Sequence, residues 1–367
     1  MAQSRFSRRT RKSPSPQDNP SPAVPWFRRR WLLGGVGSIL VIVMAGMLLY
    51  YPPWSNGVER QNRTGRDVFA SERDTGTAEP APFDGKRAIG YLENLCKIGA
   101  RISGTDGMAK QQELLQKHFE KLGGKVSYQR FTAKQRSQDR DVAMANMVIS
   151  WFPDREKRVI LCSHYDTRPI ADQESDRRKW HDEFVSANDG GSGVALMMEL
   201  AHAMKDLKTN VGVDFVFFDG EEYVFDRDDD YFFGSKHFGA TYRKNKDNDK
   251  TRYLAAILLD MVGGKNARFA IEPESYAKAG SLLEQVWSIA AEQRCDAFLT
   301  EYGQAVEDDH LALNRAGIKA IDIIEWPYGL GTGYKHWHRL SDTPDKCSEA
   351  TLEQVAKVLS VWLQRVK

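Results

Sequence analysis

The 367-residue chain has only four cysteines, Cys96, Cys162, Cys295 and Cys347, and none of them forms a CxxC pair. That excludes a zinc knuckle. One disulfide, Cys96 with Cys347, is the bridge expected in an exported domain, and four buried free thiols are the alternative. Strong net charge is also missing. The formal total is +2, and the first 30 residues hold eight bases (Arg5, Arg8, Arg9, Arg11, Lys12, Arg28, Arg29, Arg30) against Asp18, so the remaining 337 residues carry 2 − 7 = −5. Basicity therefore belongs to the N-terminus, and the bulk of the chain offers no nucleic-acid surface. There is no internal repeat and no low-complexity block. A small-residue cleavage site is absent after the one long uncharged run, Trp31 to Tyr51, where Tyr50-Tyr51-Pro52-Pro53 follows instead.

That run is long enough to cross a bilayer as a helix. The bases before it keep the N-terminus cytoplasmic and send the rest of the chain to the periplasm or cell exterior, so a membrane anchor is expected rather than a cleaved signal. The expected organisation is a basic tail over 1–30, an anchor over 31–51, a polar tether over 52–82 and a globular domain over 83–367. With 41% hydrophobic residues the chain can fill a large core. Within the domain, helices are expected over 88–98, 107–122, 193–207, 279–293 and 349–366. Strands are expected over 125–133, 143–151, 158–162, 213–218, 255–259 and 319–324. This alternation predicts an α/β fold: a three-layer α/β/α sandwich around a mixed, mostly parallel sheet, preceded by one transmembrane helix.

The chemistry concentrates at strand ends. Asp219-Gly220-Glu221-Glu222 follows the apolar run 213–218, and two adjacent carboxylates losing water there call for a cation. His164 and Asp166 follow the strand 158–162. Asp189 lies in the turn 186–193, Asp260 ends the strand 255–259, and His338 sits in a late aromatic loop. Singly, each has a mundane explanation, such as a turn, a cap or a core histidine. Jointly, imidazole nitrogen with carboxylate oxygen and no thiolate suits zinc in a catalytic site.

Ser163-His164-Tyr165-Asp166, Asn188-Asp189-Gly190-Gly191-Ser192-Gly193, Phe218-Asp219-Gly220-Glu221-Glu222, Leu259-Asp260-Met261-Val262-Gly263 and the late His338 resemble the motifs of the zinc aminopeptidase superfamily, the family-28 metallopeptidases, in their order. Three features resemble its glutaminyl-peptide cyclotransferase branch: the excursion from Tyr223 to Phe233, Asp308-Asp309-His310, and Trp337-His338. Three depart from it. The Asn188–Gly193 turn is nearer the aminopeptidase pattern, Phe225 stands where that branch has a Trp, and Asp322 stands where animal cyclases carry a His. For a cyclase, the resemblance implies one zinc on Asp189, Glu222 and His338, with Glu221, Asp260 and Asp308 catalytic and Trp337 packing on the substrate glutamine; Trp326 and Tyr328 are candidates for replacement aromatic surface, with a core role as the alternative. For a di-zinc aminopeptidase it implies a second ion on His164 and Asp260. A third alternative is a non-catalytic tethered binding domain; loss of a ligand or of Glu221 would support it, and neither is lost. The implied partners are peptide or protein N-termini and the membrane, with a monomeric catalytic domain.

Overall fold

A computed structural model describes residues 78–326 and 335–367. The expected anchor 31–51, the basic tail, the tether up to residue 77 and Tyr328 lie outside the described residues. Among those described, no helix is long and apolar enough to cross a membrane.

Six strands build the central sheet: β1 (Lys125–Lys134), β2 (Asp141–Trp151), β3 (Lys157–His164), β4 (Gly212–Phe218), β5 (Arg252–Asp260) and β8 (Ala320–Ile324), in the order β1-β2-β4-β3-β5-β8. The pairs β1–β2 and β2–β4 are antiparallel, while β4–β3, β3–β5 and β5–β8 are parallel. Side chains of consecutive residues point to opposite faces of a strand, and both faces here are apolar. Val159, Leu161, Phe215, Phe217, Ile257 and Leu259 join the core shared with helices Gly85–Cys96, Asp106–Lys121, Gly191–Met204, Pro273–Glu292 and Glu349–Arg365. Ile160, Cys162, Val216, Phe218, Ala256 and Leu258 pack with Phe238 and Leu313 on the other side. Those two residues belong to helices Phe233–Asn245 and Asp309–Arg315. Three layers result.

Several boundaries differ from expectation. The helix expected over 279–293 starts at Pro273, because Glu272 caps it, accepting N–H bonds from Glu274 at 2.9 Å and Ser275 at 2.5 Å. A kink at Ala279 (φ −143°, ψ 39°) marks where the sequence reading began it. Helix Phe233–Asn245 was not anticipated. Its buried face is Gly234, Ser235, Phe238 and Gly239, so it shows no apolar stripe to read. Helix Asp309–Arg315 and the parallel pair β6 (Phe269–Ile271) and β7 (Phe298–Tyr302) are too short to announce themselves. The expected Cys96–Cys347 bridge does not form, and all four cysteines are free thiols. Cys96 Sγ is directed to the Val185 carbonyl at 4.0 Å, and Cys347 Sγ lies 3.9 Å from Asn188 Oδ1.

At the end of the sheet remote from the strand-end carboxylates, Arg158 and Asp214 form a buried ion pair. Arg158 Nη2 meets Asp214 Oδ1 at 2.6 Å and Nε meets Oδ2 at 2.8 Å, and the Ser150 and Tyr253 hydroxyls also donate to Asp214. Removing one member of such a pair strands the other charge. Asp214→Ala should therefore lower folding stability by about 3–5 kcal/mol in urea unfolding. Asp214→Ala at wild-type stability would show that the guanidinium finds other compensation.

Candidate metal centre

The parallel registers explain why residues far apart in sequence converge. His164 is paired with Phe218, Cys162 with Leu258, and Asp260 with Ile324. The C-terminal ends of β4, β3 and β5 thus stand side by side, at strand spacings of about 4.8 Å. In open α/β sheets that edge is where ligands sit.

Asp189 comes from the turn before helix Gly191–Met204. That turn needs glycine at 190. There φ is +73°, and a Cβ would stand 2.7 Å from the His164 ring and 3.0 Å from the Asp166 carbonyl. Asp342 holds the turn from the other side, accepting from Asn188 N–H at 2.9 Å and Asp189 N–H at 3.1 Å. Glu221 and Glu222 are placed by Asp166, whose two oxygens accept their backbone N–H groups at 3.1 and 3.0 Å. Asp166 is therefore a support for the Glu221-Glu222 turn and belongs to none of the converging groups of ligand-type atoms among the described residues. Asp219 likewise faces inward, accepting from Ser103 Oγ at 2.6 Å and Ala145 N–H at 2.7 Å. His338 enters on a left-handed backbone with φ 50°, a conformation that costs a non-glycine residue energy and is found where a site demands it.

Three overlapping groups of ligand atoms lie within 4.8 Å of one another: His164 with Asp189 and Asp260; His164 with Glu221 and Glu222; and Asp189 with Glu222 and His338. His164 Nε2 is 3.2 Å from Asp189 Oδ1 and 3.3 Å from Asp260 Oδ1. His338 Nε2 is 2.5 Å from Glu222 Oε1 and 3.7 Å from Asp189 Oδ2. Asp189 thus turns one oxygen to each histidine. Asp189 Oδ2, Glu222 Oε2 and Asp260 Oδ1 are buried without a hydrogen-bond partner among the described residues. Buried acceptors are rarely left so, and a cation fits them.

The electrostatics agree. Burial pushes the Asp189 carboxyl up to about 6, with Glu222 adding to the rise and His164 opposing it. Burial lifts Glu221 well above the ordinary glutamate range; Glu222, Asp308 and Asp309 reinforce this against His164. Burial opposes ionisation of Glu222 too, but His338 prevails and holds it below its usual value. Asp308 and Asp322 are raised well above the carboxylate range by burial and neighbouring acids, and Asp309 to about 7.

Glu221, Glu222, Asp189, Asp260, His164 and His338 are thus brought together. Asp308 caps helix Asp309–Arg315 by accepting its own neighbour's N–H at 2.5 Å. It acts on Glu221 through charge, with no hydrogen bond between the two among the described residues. Trp337 stacks on His338 with centroids 3.8 Å apart, and Trp326 meets it edge-on at 5.1 Å. Both indoles are half-buried. Sequence reasoning missed Asp342, Arg168 and Asp172. Nothing in a lone Asp or Arg on a loop distinguishes them.

Known proteins frame this geometry. The family described as Peptidase family M28 matches residues 146–363. Bovine glutaminyl-peptide cyclotransferase is 22% identical over 252 residues, 60% of this chain, and the match spans 66% of that protein's own length. Among solved structures, Fimbriiglobus ruber glutaminyl cyclase superposes with TM-score 0.76 at 50% identity, covering 79% of this chain and 98% of that one. A leucine aminopeptidase precursor from Bacteroides thetaiotaomicron superposes with TM-score 0.71 at 30% identity, covering 79% and 100%. With His164 and the carboxylates at the strand ends of this sheet, these matches place the chain in peptidase family M28, to which it belongs.

Proposed function

We propose that this protein is a zinc-dependent glutaminyl-peptide cyclotransferase, converting the N-terminal glutamine of peptides to pyroglutamate with release of ammonia. The observation that carries the reading is the 50% identity to a glutaminyl cyclase over nearly all of that enzyme, against 30% to the leucine aminopeptidase precursor. The site supports it. Asp189, Glu222 and His338 would hold the zinc, a set of three protein ligands that leaves room for substrate. Zinc there supplies a Lewis acid for a carbonyl oxygen. Glu221, dry and raised, takes a proton from the peptide's α-amine as the nitrogen attacks the γ-amide carbon, and returns it to the nitrogen that leaves as ammonia. Asp308 is among the acids that raise Glu221, and Asp260 raises Asp308 in turn. Trp337 and Trp326 offer aromatic surface beside His338.

One observation favours a second reading. Asp189 presents an oxygen to each histidine, the arrangement in which a second ion on His164 and Asp260 would make a di-zinc aminopeptidase. Supplying the purified protein with Gln-peptides and Leu-peptides in parallel separates the two. Ammonia release with a blocked N-terminus is the expected result; free leucine without ammonia would overturn the cyclase.

We further propose that residues 31–51 anchor a monomeric catalytic domain on the extracytoplasmic side. The uncharged run and the eight bases before it support this.

A further inference from the structure

The loop after β3 carries two charged groups that the reaction above does not use, buried Arg168 and half-buried Asp172. Arg168 donates from Nη2 to Asp172 Oδ2 at 2.8 Å and to the Tyr231 hydroxyl at 3.2 Å, while its Nη1 stands 3.7 Å from Glu222 Oε1. Asp172 Oδ1 in turn lies 3.1 Å from His338 Nδ1, and His338 Nε2 lies 2.5 Å from Glu222 Oε1. Arg168, Asp172, His338 and Glu222 therefore close a ring of side chains around one of the three ligand groups. Among the described residues the His164–Asp260 side has no such guanidinium ring: His164 Nδ1 faces Asp166 at 3.6 Å and Glu221 at 3.8 Å.

Two physical consequences follow from the ring. A carboxylate on one imidazole nitrogen fixes the tautomer and the ring plane, leaving the lone pair on the other nitrogen. Here that nitrogen is Nε2, the one turned to Glu222 and Asp189. A guanidinium beside Glu222 Oε1 engages that oxygen's charge and leaves Oε2, buried and without a hydrogen-bond partner among the described residues, as the oxygen free to bind an ion. Tyr231, half-buried in the 223–233 excursion, accepts from Arg168 and its ring lies 5.6 Å from the guanidinium carbon, tying the excursion to the same ring.

We propose that Arg168 and Asp172 are positioning residues that set zinc affinity at the Asp189, Glu222 and His338 group by orienting His338 and Glu222. The inference rests on the metal reading of the site and not on which reaction the site performs.

Zinc affinity of the full chain, measured without substrate by competition against a chromophoric chelator, tests it. Asp172→Asn is expected to bind zinc about 10–100-fold more weakly, the range seen for loss of an outer-shell partner. Arg168→Lys keeps the charge but loses the fork, and a several-fold loss is expected. The unfolding midpoint in excess chelator is followed in parallel. A purely structural role would lower that midpoint while the folded variants kept wild-type zinc affinity, and wild-type affinity in either variant overturns the inference while leaving the proposed function standing. Should Asp172→Asn fail to fold, Arg168→Lys decides alone. A parent protein that binds no zinc overturns the proposed function itself.

Discussion

Glu221→Gln should lower ammonia release from N-terminal glutamine peptides by roughly 10²–10⁴-fold, the span of general acid–base catalysis, while the protein keeps its zinc. The substitution preserves shape and removes only the capacity to take up a proton. In the native site that capacity is built by burial, and Glu222, Asp308 and Asp309 raise it further. Glu221 is also within ligand distance of His164 and Glu222, so the metal content of the variant is the informative control. Metal lost together with activity would make Glu221 a ligand; metal kept and activity kept would remove it from the chemistry. The backbone of the turn should not change, because Asp166 holds the N–H of residue 221 and not its side chain.

The second large effect separates two carboxylates that look alike in sequence. Asp189→Ala should strip zinc by more than the about 10–100-fold that loss of an outer-shell partner costs, and activity should fall to background. Asp260→Ala should leave one zinc per chain in place. The difference follows from position: Asp189 faces both histidines, at 3.2 Å and 3.7 Å, whereas Asp260 faces His164 at 3.3 Å. Metal analysis of the purified variants checks this. A parent holding two ions, with Asp260→Ala losing one, would move the protein toward the di-zinc aminopeptidase. Equal loss in both variants would show that the two groups bind as a unit.

Much of the site was readable before any fold was known, and the reason is local. Glu221, His164 and Asp260 each end or follow an apolar strand, and buried parallel strands read as continuous apolar runs with functional groups at their C-terminal ends. Strands β3, β4, β5 and β8 were recognised for that reason. Helix Phe233–Asn245 was not, because it buries small residues such as Gly234 and Gly239 against its neighbours instead of an apolar stripe. Gly239 shows how close the approach is: a Cβ there would meet the Ala312 carbonyl and the Ala316 side chain, each at 3.1 Å. The disulfide expectation failed because cysteine spacing carries no information on where a thiol points.

Sequence by itself determined the chemical inventory of this protein: imidazole and carboxylate groups without thiolate, a Glu221-Glu222 pair, alternating strands and helices, and an uncharged run with bases on one side. These are properties of residue type and near spacing, which a linear chain displays directly. Tertiary structure alone decided how the inventory divides. Asp166, which looked like a ligand, became the clamp on the Glu221-Glu222 backbone. Asp189 came to face two histidines separated from each other by most of the domain, and Arg168 and Asp172 closed on Glu222 and His338. Such roles depend on which oxygen faces which neighbour, and that is set only when strand register and loop packing bring distant segments within a few ångströms.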